Sequence, residues 1–192
     1  MKILLVNPPA HNISTRLPES LNRAEGTYPP LGIAYIASFL EKNGYRARIL
    51  DAAVVPEERV QDEIAREKAD VVGVAAMTPT VRNALQMAEK AKESGAEVVI
   101  GGPHLSAYPK ETMSFDFVDY GVVGEGEHAM LSIAKLVEGE RINKAEVRGL
   151  AYRENGRIHI NEADVVEALD ELPFPARHLL ENEKYSSVIG LH

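Results

Sequence analysis

The stretch from Asp70 to Ser106 constrains this chain more than any other. Val71 to Ala76 is a continuous run of small and β-branched apolar residues, the composition of a strand buried on both faces. Pro79 stands where the first turn of a helix tolerates a missing N–H. Val81, Ala84, Leu85 and Ala88 follow at i, i+3, i+4 and i+7 as an apolar stripe, and Gly95 is a natural terminator. Val98 to Ile100 forms a second buried run, stopped by Gly101-Gly102-Pro103. This pattern predicts two parallel neighbouring strands joined by a right-handed crossover helix. The loops Met77 to Thr80 and Gly101 to Ser106 then leave the same carboxyl edge of one sheet, where open α/β sheets bind ligands.

The rest of the chain extends that unit. Ile3 to Val6 is a short buried strand ended by Pro8-Pro9, and Ala10 to Tyr28 has no sustained period, which predicts a loop that is either functional or mobile. Pro29-Pro30-Leu31-Gly32 opens a helix carrying Ile33, Ile36, Ala37 and Leu40 on one face, closed by Gly44. Arg46 to Leu50 is a strand ending at Asp51, and Glu57 to Lys68 a more polar helix facing inward with Val60, Ile64 and Ala65. After the organising unit, Lys110 to Ser114 allows only a short helix, and Phe117 to Val123 is a fifth apolar run. Gly124-Glu125-Gly126-Glu127 leads into a helix with Met130, Ile133, Ala134 and Val137 inward. The expected fold is α/β: a doubly wound, flavodoxin-like (Rossmann-like) five-stranded parallel sheet in the order 2-1-3-4-5, with helices on both faces. A β-hairpin turning at Asn155-Gly156 follows, then a linker carrying Pro173-Phe174-Pro175. Tyr185 to His192 reads as one more strand with no partner after it, so the chain is expected to continue. The expected division is 1–140 for the sheet domain, 141–163 for the hairpin and 164–192 for the linker and that strand.

Composition removes several functions. The net charge is −8 without a Lys/Arg cluster, which argues against nucleic-acid binding through phosphate neutralisation. There is no Cys, so this chain supplies no disulfide, thiolate zinc site or iron–sulfur cluster. No apolar run approaches the ~20 residues that span a bilayer, and the N-terminal run is too short for a signal peptide, so a cytoplasmic protein without membrane contact is expected. Asn7-Pro8-Pro9 follows the first strand in place of Gly-x-Gly-x-x-Gly, and no Walker loop occurs, which argues against NAD(P), FAD and ATP. No nucleophilic triad is visible, so no catalytic residue is assigned.

The carboxyl-edge loops are small and backbone-rich. Ala75, Ala76, Met77, Thr78, Pro79 and Thr80 form one wall, and Gly101, Gly102, Pro103 and His104 the other. Adjacent glycines admit a ligand close to the backbone, and Thr hydroxyls can donate or accept along the wall. Gly-Gly-Pro can equally be a plain turn, with Thr78 an N-cap. Gly124, Glu125 and Gly126 sit at the same edge, and Glu125 and Glu127 can face a ligand there, although acidic residues in a first helical turn are favoured by the helix dipole alone. His11 and His104 read more simply as loop residues than as metal ligands, and no metal site is assigned. Tyr108 either lies against a ligand or caps the edge.

The succession Val-Asn-Pro-Pro, Pro-Pro-Leu-Gly-Ile-Ala-Tyr-Ile-Ala-Ser-Phe-Leu-Glu-Lys-Asn-Gly-Tyr, Asp51, Val-Gly-Val-Ala-Ala-Met-Thr-Pro-Thr, Val-Val-Ile-Gly-Gly-Pro-His and Val-Val-Gly-Glu-Gly-Glu resembles the N-terminal cobalamin-binding domain of cobalamin-dependent radical S-adenosylmethionine enzymes. Leu169 to Arg177 resembles the linker into their catalytic barrel. The resemblance implies base-off cobalamin, with its nucleotide tail in the slot and its corrin over the sheet edge. The Ser-x-Leu of the wider fold is replaced by Ala75-Ala76-Met77, whereas Gly101-Gly102 matches its Gly-Gly. The Asp-x-His-x-x-Gly motif that supplies a lower axial histidine would begin near Asn7, and Pro8 and Pro9 stand there instead. The 4Fe–4S cluster and S-adenosylmethionine would belong only to a C-terminal radical domain of the parent protein, methyltransferase-like or doing related radical chemistry, and this chain alone would not be catalytic. The rival readings are a non-catalytic α/β module that has lost cobalamin, and a flavodoxin-like FMN binder, for which a Ser/Thr-rich phosphate loop after strand one is missing.

Overall fold

The computed structural model describes residues 1–9, 27–166 and 168–186 of the chain, with the side chains of Glu57 and Glu58 left aside. Five strands run parallel: β1 (Lys2–Asn7), β2 (Arg46–Asp51), β3 (Val71–Ala75), β4 (Glu97–Gly101) and β5 (Tyr120–Val122). Two more, β6 (Leu150–Glu154) and β7 (Arg157–Ile160), add to them antiparallel. The spatial order is β2-β1-β3-β4-β5-β6-β7. The parallel part thus has the expected order, but the sheet is seven-stranded and mixed rather than five-stranded and parallel. The hairpin is not an appendage: β6 pairs along β5, with Gly121 opposite Ala151, and covers what would otherwise be an open edge. Its turn has positive φ at both Asn155 (+50°) and Gly156 (+74°), as a tight two-residue hairpin connection requires. The fifth strand is shorter than its apolar run, because Phe117 and Val118 are used in the turn that enters it.

Strand alternation divides the core. Leu4, Val6, Val72, Val74, Val98 and Ile100 face one side, against Val60 and Ile64 of α2 (Glu57–Glu67) and Ala84, Met87, Ala88 and Ala91 of α3 (Val81–Glu93). The buried stripe of α3 is rotated from the expected one: Val81 and Leu85 are only half-buried, while Met87 fills the interior. The α3 helix is preceded by a 3₁₀ turn at Thr78–Thr80. On the other side Ile3, Leu5, Ile49, Val71, Val99 and Val122 meet α1 (Leu31–Lys42) and α6 (Glu127–Val137). Two short helices, α4 (Pro103–Ala107) and α5 (Pro109–Thr112), connect β4 to β5.

Beyond the hairpin the chain folds back. Asp164 bridges to Gly124, and its carboxylate lies 2.9 Å from His128 Nδ1 and 3.7 Å from Arg148 Nε. The linker then crosses α1: the Ala176 amide donates to the Ala34 carbonyl at 2.9 Å, and Ala176 and Leu180 are buried. It ends beside β2, where Ser186 N–H donates to the Thr27 carbonyl at 3.0 Å. The expected loop over 10–26, including His11, and the part of the expected last strand over 187–192 lie outside the described residues.

Candidate functional site

The two faces of the sheet diverge at its carboxyl end. On the α1–α6 side, β3 carries Val71, Gly73 and Ala75, and β4 carries Val99 and Gly101. Beyond Val71 and Val99 these side chains are no larger than a methyl group, so the sheet recedes beneath the first turns of α1 and α6. The result is a mainly apolar cavity of about 430 Å³. Its floor is Leu5, Gly73 and Val99, its helical walls include Ile33, Ile36 and Met130, and its mouth includes Asn7, Met77 and Pro103.

The structure gathers ten of the expected residues on this cavity: Asn7, Ala75, Met77, Thr80, Gly101, Gly102, Pro103, Gly124, Glu125 and Gly126. The other six do not line it. Pro8 and Pro9 are buried, and the Pro9 carbonyl accepts from Asn83 Nδ2 at 3.0 Å. The Ala76 amide donates to the Gly101 carbonyl at 2.7 Å, and its carbonyl accepts from the His104 amide at 3.0 Å. Thr78 Oγ1 lies 3.3 Å from His104 Nδ1, Pro79 sits in the 3₁₀ turn, and the His104 ring lies 5.3 Å from that of Tyr108. Tyr108 therefore closes over His104, with half of its surface still open (51% exposed). The Thr80 hydroxyl accepts from the Met77 amide at 3.2 Å, which ties the loop rather than lining the wall with a free hydroxyl.

Gly101 and Gly102 are adjacent and physically different. Gly102 has φ +100°, and a Cβ there would lie 2.8 Å from the Ala76 carbonyl oxygen and 3.1 Å from its nitrogen. The crossing of the two loops therefore requires glycine with or without a ligand. At Gly101 a Cβ would meet only Val122, at ordinary distances of 3.6 and 3.9 Å. At Gly32, in the first turn of α1, a Cβ would meet nothing within 4 Å. Both Gly32 and Gly101 line the cavity.

Sequence reasoning missed the floor and the helical walls. One signal was present: Gly73 interrupts a β-branched strand, which often marks close approach of another group. A Cβ there would lie 2.9 Å from Leu5 Cδ2 and 3.3 Å from Met130 Cε. Glu127, which its place in the first turn of the helix already brought to this edge, lines the cavity at 9% exposure. Burial raises its pKa above the ordinary carboxylate range, against a lowering by the backbone N–H groups at the start of α6, and neighbouring Glu125 raises it further. The Glu125 carboxylate is turned to the Val166 amide, fixing the segment after β7 over the edge. Among the described residues no histidine lines the cavity, and no cluster of three or more His, Asp or Glu side chains is placed to hold a metal ion. No helix among them is long and apolar enough to cross a membrane.

Comparison with known proteins agrees with this geometry. The family model for the B12 binding domain matches residues 21–134, more than half of the chain. The uncharacterised methyltransferase PH0819 of Pyrococcus horikoshii is 34% identical over 97% of the chain, and the anaerobic magnesium-protoporphyrin IX monomethyl ester cyclase of Rubrivivax gelatinosus is 31% identical over 96%. The chain spans 40% and 34% of the lengths of these relatives. Among solved structures, the cobalamin-dependent S-adenosylmethionine radical enzyme OxsB with aqua-cobalamin and S-adenosylmethionine superimposes with a TM-score of 0.70 at 19% identity, over 91% of this chain and 24% of that one. That likeness shows a shared fold. By its sequence match and its architecture, this chain belongs to the B12-binding domain family.

Proposed function

We propose that the chain binds cobalamin base-off, with the nucleotide tail entering the cavity under α1 and α6 and the corrin covering its mouth. The observation that carries this reading is the pair Gly32 and Gly101. At both positions the protein itself leaves room for a methyl group. A glycine that the fold does not need, on the wall of a cavity, is explained by an occupant that touches the backbone. The cavity volume lies within the range of small-molecule sites, roughly 300–1,000 Å³, and its apolar walls suit a benzimidazole-type base.

Bound cobalamin would supply a cobalt centre able to carry a methyl group. The chain's own residues hold and shield it: Leu5, Val99 and Met130 exclude water from the tail, while Gly73 and Gly101 keep its path open. With no Cys for a cluster, the chemistry of S-adenosylmethionine cleavage would belong to a radical domain elsewhere in the same parent protein. The small share of its relatives' length that the chain spans supports such a partner domain, and the methyltransferase name of one relative supports methyl transfer. On this reading residues 1–140 are the binding unit, 141–163 its sheet extension and 164–192 the passage to that domain.

Gly101→Val is the direct test. The protein and its variant are titrated with cobalamin and followed by visible absorption, with thermal melting in parallel. Filling a close-packed slot weakens binding by about tenfold or more. Melting should stay within about 2 °C, because the Cβ meets only ordinary contacts and the cavity beside Gly101 has room for the methyl groups. Equal affinity in the two proteins would place the tail elsewhere, and no binding by the unsubstituted protein would overturn the reading.

A further inference from the structure

The carboxyl ends of β1 and β2 carry a small polar cluster that the cavity walls alone do not explain. Asn7 and Asp51 are register partners, and Asp51 is almost fully buried at 4% exposure. Its Oδ1 accepts from Asn7 Nδ2 at 2.8 Å and from the Ala53 amide at 3.0 Å. Its Oδ2 accepts from the Tyr185 hydroxyl at 2.9 Å. Burial, and then the bond to Asp51, push the Tyr185 pKa up, so the phenol stays a donor throughout the ordinary pH range. All three partners donate, and a carboxylate only accepts. Asn7 must therefore turn its amide nitrogen to Asp51. Its carbonyl oxygen is left as a directed acceptor on a residue that lines the cavity mouth, and that oxygen has no protein partner among the described residues.

We propose that Asp51, braced by Tyr185 from the C-terminal segment, fixes the Asn7 carboxamide so that its oxygen accepts a hydrogen bond from a peripheral primary amide of the bound corrinoid. This rests on the cobalamin reading and adds residue roles to it: Asn7 touches the ligand, whereas Asp51 and Tyr185 are positioning residues. Tyr185 is 134 residues from Asp51, so the segment leaving the domain is wired to the ligand site by two hydrogen bonds.

The test uses ligand chemistry rather than stability. Cobalamin is compared with its monocarboxylic acids, in each of which one peripheral carboxamide has become a carboxylate that cannot donate. The unsubstituted protein should bind at least one acid about tenfold more weakly than cobalamin, the scale of one lost hydrogen bond with a charge left beside an acceptor. Asn7→Ala should bind cobalamin about tenfold more weakly and lose the preference against that acid. Tyr185→Phe, which removes an oxygen remote from the ligand, should lose part of the preference, about two- to fivefold. Asp51→Asn, able to offer either face of an amide, should behave like Asn7→Ala if it folds. Unchanged discrimination in Asn7→Ala, or an unsubstituted protein that binds every acid as well as cobalamin, overturns this proposal alone. An unsubstituted protein that takes no cobalamin overturns the reading beneath it as well.

Discussion

On the α2–α3 side, β3 and β4 present Val72, Val74, Val98 and Ile100, and α3 returns Ala84, Met87, Ala88 and Ala91 into the spaces between them. On the α1–α6 side the same two strands present Val71, Gly73 and Ala75, then Val99 and Gly101, and a cavity opens where the side chains run out. The helices on the two sides are of similar length, 11 and 13 residues against 12 and 11, so helix size does not explain the difference. It comes from one parity of residues in two strands. A binding slot can thus be made by leaving out side chains on one face while the other face, packed normally, keeps the strands straight and paired.

The largest expected effect lies on the packed side. Ile100→Ala removes a fully buried side chain, and urea denaturation should show a loss of about 3 kcal/mol. If the variant stays folded, its cobalamin affinity should remain near that of the parent, although its neighbour Gly101 lines the cavity. A stable Ile100→Ala protein with weakened binding would mean that the two faces are not independent. Next comes Gly102→Ala, which forces a side chain into a positive-φ position against the Ala76 backbone. A loss of roughly 1–3 kcal/mol is expected, seen equally without ligand. Together with Gly101→Val, it separates two adjacent glycines: one required by the fold, the other by the occupant.

The smallest effect concerns Glu127. Its pKa is raised in the folded protein, chiefly by burial. A carboxyl raised on folding contributes stability that is fully present below its unfolded value and lost as pH rises through the folded one. The parent should therefore gain stability, relative to Glu127→Gln, as pH falls from 7 toward the ordinary carboxylate range. At pH 7 the glutamine variant should be the more stable, by less than about 1 kcal/mol. Urea denaturation at pH 7, 5.5 and 4 checks the sign. A difference that does not vary with pH would show that burial at the hollow face does not penalise the charge.

Much of the fold was legible because its signals are local. Residue spacing alone placed the helices after Pro30 and Gly126 and the strand around Gly73, and Asn155-Gly156 announced its hairpin. The positions of Gly101, Gly102 and Gly126 on the candidate site were legible for the same reason, since loops after parallel strands share an edge. Only the tertiary structure decided that β6 would join the sheet beside β5, because pairing depends on which edge remains open. It alone distinguished Gly101 from Gly102, which look identical as letters and differ in φ and in what a Cβ would meet. It also joined Asn7 to Asp51 and Asp51 to Tyr185, separations of 44 and 134 residues that leave no period in a sequence. The amino-acid order by itself set which segments are strands and helices, because backbone geometry repeats over a few residues. The cavity, its floor at Leu5 and the buried carboxylate behind Asn7 exist only once distant segments exclude water together.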